Sequence, residues 1–146
     1  MAAVTHLTIV TPTAKKFEGD AELVIAPGAA GDLGALAAHA PLLTTLRVGV
    51  VKANVVGGGA EAQTGDAAPG RVEFAVPGGF MEVLPDRVIV LTDAAISRDE
   101  VDVEATRAEL KRAEEALAQK RGVDDGEERH AVAWAQARLE VTHRPI

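Results

Sequence analysis

Two kinds of periodicity divide this chain. Up to about Ile96, short apolar stretches recur between turn signals: His6–Val10, Ala21–Ala26, Leu42–Val56, Arg71–Val76, Gly79–Leu84 and Arg87–Thr92. Leu7 and Ile9 flank Thr8, the alternation of a strand with one buried face. Pro85-Asp86, between two such runs, reads as a tight hairpin. Many short strands at regular spacing predict an antiparallel β-sandwich or barrel. The strand–helix alternation of a nucleotide-binding α/β sheet is absent from the pattern.

Beyond Ile96 the period changes. Ser97 and Glu100 have capping-box spacing, which predicts a helix from about Arg98. Val103, Leu110, Ala113 and Leu117 then fall on one helical face. Gly122 and Gly126 flank Asp124-Asp125 and interrupt the pattern, with Asp125 placed to cap a second helix and Glu128 three residues on. Val132, Ala135 and Leu139 give that helix a thin apolar stripe of its own. Two helices and a short loop predict an antiparallel hairpin. Its stripes are rich in alanine, and burial stabilises in proportion to apolar area, about 25 cal/mol per Å². Such a hairpin is expected to detach from its support at modest cost.

Composition sharpens the division. Residues 1–97 hold 12 of the 14 glycines and six of the seven prolines, whereas 98–146 hold 21 of the 37 charges in half the length. The expected domains are a β-sandwich over 1–96 and a helical hairpin over 97–146. The chain is 47% hydrophobic but 3% aromatic, so Val, Leu, Ile and Ala must fill the core. Without cysteine there is no disulfide framework and no thiolate metal site. A net charge of −7 without a basic stripe argues against nucleic acid. No apolar run approaches the roughly 20 residues of a membrane helix. The start, MAAVTHLTIV, has neither signal-peptide nor transit-peptide character, which favours a bacterial protein.

The candidate chemistry is sparse. Within Gly31–Gly49, a loop projects Asp32 and His39 and ends at Ala40-Pro41, after which the apolar run Leu42, Leu43, Leu46, Val48 starts a strand. A histidine beside a carboxylate can do acid–base work. No nucleophile motif, metal-ligand cluster or second paired acid accompanies this one, so a surface contact or a loop-fixing hydrogen bond is the better reading. Gly57-Gly58-Gly59 lacks the Lys-Ser or Lys-Thr of a phosphate loop, and the segment from Gly57 to Gly70 reads as a hairpin tip. In the tail, Lys111, Arg112, Lys120 and Arg121 belong to a basic set, although 12 acids accompany the nine bases there. Trp134, the lone tryptophan, reads as an anchor packed on the sandwich or on a partner.

Three of these segments, Gly31–Gly49, Gly78–Val83 with Arg87–Ala94, and the tail from Ser97, together resemble the epsilon subunit of the F-type ATP synthase. The resemblance runs in order from about Leu7 to Ala118. It implies a non-catalytic central-stalk subunit with no cofactor of its own, on the cytoplasmic face of the bacterial inner membrane and peripheral to it through the complex. By the resemblance, the sandwich grips the γ subunit and rests on the c-ring through Asp32 and His39. Ala35 and Ala37 stand where the family has Ile and Pro, which reduces the apolar footprint of that loop. The tail would reach the α and β catalytic subunits and restrain ATP hydrolysis. Members that bind ATP carry an Ile/Leu-Asp-x-x-Arg-Ala motif, and its counterpart here runs from Val103 to Ala108, with Glu104 in place of Asp and Arg107 retained. Glu114 stands where a further arginine is expected. The alternative function is a free-standing ATP-sensing module.

Overall fold

A computed structural model of the chain describes residues 3–57 and 70–142. The hairpin tip expected from Gly57 to Gly70 lies, apart from its two end glycines, outside these residues. Nine strands form one sheet that folds back on itself: β1 (Thr5–Val10), β2 (Lys15–Gly28), β3 (Gly31–Leu36), β4 (Leu42–Leu46), β5 (Gly49–Gly57), β6 (Gly70–Val76), β7 (Gly79–Val83), β8 (Arg87–Leu91) and β9 (Ile96–Ser97). The strand order is β1-β8-β7-β4-β2-β5-β6-β9, with β3 also on β2. Pairing of β1 with the first half of β2 closes the sheet, so long β2 serves both layers. All pairs are antiparallel except β1 with β8.

Alternation builds the core as the sequence implies. Leu7 and Ile9 of β1, Phe17, Ala21 and Val24 of β2, and Val88 and Val90 of β8 are fully buried. Phe17 and Phe74 meet with ring centroids 5.9 Å apart, the aromatic centre of an otherwise aliphatic interior. The Pro85-Asp86 turn joins β7 to β8, with Leu84 and Arg87 exchanging backbone hydrogen bonds of 2.8 and 3.4 Å. Gly79 permits the close approach of β7 to β8. Its φ is +134°, and a Cβ there would strike the Leu91 carbonyl and Thr92.

Three expectations are corrected. Residues 31–36 are not loop but strand β3, whose Leu33 and Ala35 turn toward the core while its backbone pairs with Leu23–Gly28. Its glycines and alanines mask the alternation in sequence. The apolar run from Leu42 to Val56 is two strands, β4 and β5, broken at Arg47-Val48, where the chain turns from β7 toward β6. The Ser97–Glu100 capping box caps only a single 3-10 turn (Arg98–Glu100), with the Glu100 carboxylate accepting from Ser97 N and Oγ at 3.0 Å. Val101 is extended and joins an apolar seam, so helix α1 (Val103–Lys120) starts later, capped by Asp102 accepting from Ala105 N at 3.0 Å.

Helix α2 (Gly126–Glu140) follows as the antiparallel partner of α1. Asp125 occupies its N-cap position without a side-chain capping bond, because its carboxylate pairs with Arg129 at 2.9 Å instead. Helix α2 lies on β5 and β6, and α1 packs on α2. Among the described residues no helix is long and apolar enough to cross a membrane.

Candidate docking surfaces

Asp32 sits at the start of β3, paired in register with Pro27. Its carboxylate accepts from Arg47 Nη2 at 2.7 Å, and Arg47 Nη1 also donates to the Gly28 carbonyl at 2.6 Å. Two backbone bonds complete the clamp: Arg47 N to Pro27 O at 2.8 Å and Ala29 N to Thr45 O at 2.9 Å. The β2–β3 turn is thus stapled to the β4–β5 connection. Asp32 itself remains 69% exposed.

His39 lies beyond the other end of β3. At about 3.3 Å per residue, the strand from Asp32 to Leu36 alone spans roughly 13 Å. His39 Nδ1 bonds the Ala40 carbonyl at 2.6 Å, and its N–H donates to Leu36 O at 3.3 Å. Ala38, at φ 64°, donates to Pro85 O at 2.7 Å and ties this corner to the β7–β8 turn. The structure therefore separates the two residues. Aspartate and histidine make no acid–base pair, and each is held by its own local bond. Between them, β3 pairs with β2 alone among the described residues, leaving an open edge.

Sequence reasoning missed an apolar outer face. Thr45, Phe80, Leu91 and Val10 stand in register across β4, β7, β8 and β1, and the next same-face row holds Leu43, Glu82, Ile89 and Thr8. Leu43, Phe80 and Leu91 are 69, 52 and 50% exposed. A sheet covered by solvent alternates apolar with polar positions, whereas β8 is apolar on both phases, with Val88 and Val90 inside and Ile89 and Leu91 outside. That two-phase run was the available signal. Beside this face a groove of about 640 Å³ opens between Val10–Pro12, Thr45–Leu46, Pro77–Phe80 and Leu91–Asp93.

The hairpin is held by a thin seam. Ala137 and Val141 pack on Val50 and Ala75, with Trp134, Ile96, Val48 and Val101 around them. Trp134 is thus the expected anchor, and it packs on the sandwich. The Arg138 guanidinium lies 5.0 Å from the Trp134 ring centre and reaches Glu109 of α1 at 2.7 Å. That hydrogen bond holds the Glu109 carboxyl below the usual glutamate value. Lys52–Glu140 at 3.5 Å and His130 Nε2 to Pro77 O at 3.1 Å fasten α2 at two further points.

Glu104, Arg107, Lys111 and Arg112 all lie on the exposed side of α1, and none lines the groove. Lys120 stands 3.9 Å from Glu128, and Arg121 ends α1 in a left-handed conformation. No group of three or more His, Cys, Asp or Glu among the described residues is placed to hold a metal ion.

The molecule is therefore a β-sandwich bearing a two-helix arm. Residues 4–98 match the family model described as "ATP synthase, Delta/Epsilon chain, beta-sandwich domain". The ATP synthase epsilon chain of Desulforamulus reducens is 42% identical over 117 residues, covering 80% of each chain. That of Ruminiclostridium cellulolyticum is 36% identical over 143 residues, covering 97% of this chain and 98% of the relative. A chain in the cryo-EM structure of the Euglena gracilis mitochondrial ATP synthase (OSCP/F1/c-ring, rotational state 1) superposes with a TM-score of 0.73 at 18% identity, over 97% of this chain and 82% of that one. The chain belongs to the ATP synthase epsilon-chain family.

Proposed function

We propose that this chain is a non-catalytic rotor subunit of a proton-translocating F-type ATP synthase, coupling rotation of the c-ring to the catalytic head. The observation that carries the reading is the exposed apolar face of β4, β7 and β8. Contiguous apolar surface of this kind marks a protein contact. The γ subunit is its occupant. The c-ring contact runs along the open edge of β3, with Asp32 at one end and His39 past the other, a line and not a point. The complex lies against the cytoplasmic face of a bacterial inner membrane, and this chain reaches the membrane through it.

The test is co-purification of γ and c subunits with a tagged chain. Wild type brings down both, and Phe80→Asp loses γ. Retention of γ by Phe80→Asp removes the assignment of that face.

The hairpin is the regulatory part of this reading. Detached, it reaches the α and β subunits, presents Lys111, Arg112, Lys120 and Arg121 toward acidic segments of β, and restrains ATP hydrolysis. Complexes reconstituted with a chain truncated after Ser97 assemble and couple but hydrolyse ATP at a different rate. Equal rates across nucleotide conditions remove the regulatory role and leave the rotor role standing. A second reading, an ATP-sensing module, rests on one observation: Arg107 is exposed on α1, where its guanidinium can meet a phosphate. Calorimetric titration of the full chain with ATP tests it, and no heat beyond dilution sinks it.

A further inference from the structure

We infer that Arg47 is the positioning residue of the Asp32 contact, an inference that rests on the reading of Asp32 as ring-facing. Arg47 is the one cation within ion-pair distance of Asp32 among the described residues. It stands on the connection between β4 and β5, 15 positions along the chain from Asp32. A planar guanidinium can hold two acceptors in fixed directions, and here it takes one carboxylate oxygen and one backbone carbonyl. The aim of the Asp32 carboxylate is thereby set from a neighbouring connection.

The backbone around it fixes the turn but not the Asp32 side chain. A Cβ on Gly28 would lie 2.7 Å from the Gly31 carbonyl, and one on Gly49 would meet the Pro27 ring at 2.8 Å. These close approaches hold the turn itself. They do not touch the Asp32 side chain, which extends into solvent. The carboxylate has two fates: solvated and mobile over several rotamers, or clamped by Arg47. In the clamped state the tip presents a neutral, directional pair, and a partner meets oriented hydrogen-bonding groups at a lower ordering cost. Lysine in place of Arg47 has a point charge without the fork, so it can neutralise Asp32 without also gripping Gly28.

The experiment uses ATP synthase complexes reconstituted with full-length chains: wild type, Asp32→Ala, Arg47→Ala, Arg47→Lys and the double alanine variant. Coupling is read as proton pumping per ATP hydrolysed, and affinity for the rotor as the concentration of chain needed to restore it. Asp32→Ala and Arg47→Ala each raise that concentration by about threefold to fivefold, the scale of an exposed ion pair. The double variant is no worse than either single one, because removing the aim matters only while there is something to aim. Arg47→Lys is intermediate. The isolated chains melt within about 5 °C of one another. An Arg47→Ala effect that persists undiminished beside Asp32→Ala overturns the positioning role. Asp32→Ala active with Arg47→Ala silent overturns it too, while sparing the ring contact. A silent Asp32→Ala removes the ring contact and Arg47's role together.

Discussion

The sandwich and the hairpin bury their side chains by different means. In the sandwich, Val, Leu, Ile and Phe from both sheet layers meet in one continuous core, and β2 belongs to both layers. In the hairpin, the buried positions of α1 and α2 are Thr106, Ala135 and Ala137, and α1 reaches the body mainly through α2. Since burial energy follows apolar area, the body should unfold as a unit while the arm can leave it. The proposed rotor role calls for the first property, and the proposed regulatory role of the arm calls for the second.

The largest effect that tests this contrast is Phe17→Ala. Phe17 is fully buried against Phe74, and removing a buried Phe costs about 3–5 kcal/mol. Urea denaturation should show the whole body losing that stability in one transition. Trp134→Ala comes next, at about 2 kcal/mol, since the ring is only part-buried in the seam. Here hydrogen exchange should quicken through α1 and α2 while β-strand amides stay protected. If Trp134→Ala lowers strand protection as much as helix protection, body and arm are one cooperative unit and the contrast fails.

Arg138→Ala separates the arm's two joints. Arg138 stacks on Trp134 and pairs with Glu109, so its loss should free α1 from α2 at a cost of about 1 kcal/mol or less, given how exposed Glu109 is. Acid should mimic it. The folded-state value of Glu109 is depressed, so its contribution is present above the unfolded value of 4.5 and is lost as pH falls through the lower folded value. Faster exchange of α1 than of α2 in Arg138→Ala is the expected signature. Equal exchange in both helices would assign Arg138 to the seam alone.

These particulars show what could be read from sequence. Two-residue alternation in β1 and the Pro85-Asp86 turn identified the sandwich, because strand burial has an obvious period and proline marks a turn. The helical stripes were legible for the same reason, and Val103, Leu110, Ala113 and Leu117 all come out half-buried. Strand β3 was hidden because glycine and alanine carry little hydrophobic signal, although Ala35 is fully buried. The bracketing glycines and proline made Asp32 and His39 read as one loop. Their separation follows from the strand between them, and the Arg47 clamp from a contact that no local pattern encodes.

The smallest expected effect lies on the body's outer surface. His6 of β1 places Nε2 2.8 Å from Glu18 and Nδ1 2.9 Å from Asp20, while Lys15 shares Glu18 at 2.9 Å. Arg87 is its register neighbour on β8. The hydrogen bond to Glu18, then that to Asp20, raises the His6 pKa above 6.5, against a small opposing penalty from burial. A raised folded-state value means the imidazolium stabilises the fold fully below the unfolded value of 6.5, and that this contribution fades as pH rises through the higher folded value. His6→Gln keeps a polar side chain but cannot take the charge. Wild type should therefore melt above His6→Gln at pH 5, with the gap closing as pH rises through the higher folded value, since a neutral imidazole retains only one donor for two carboxylates. The sandwich is the part of the molecule whose stability should show this slope, since His6, Lys15, Glu18 and Asp20 all lie on β1 and β2. A gap that is constant from pH 5 to 8 would mean that shape, and not charge, is what His6 contributes to the body.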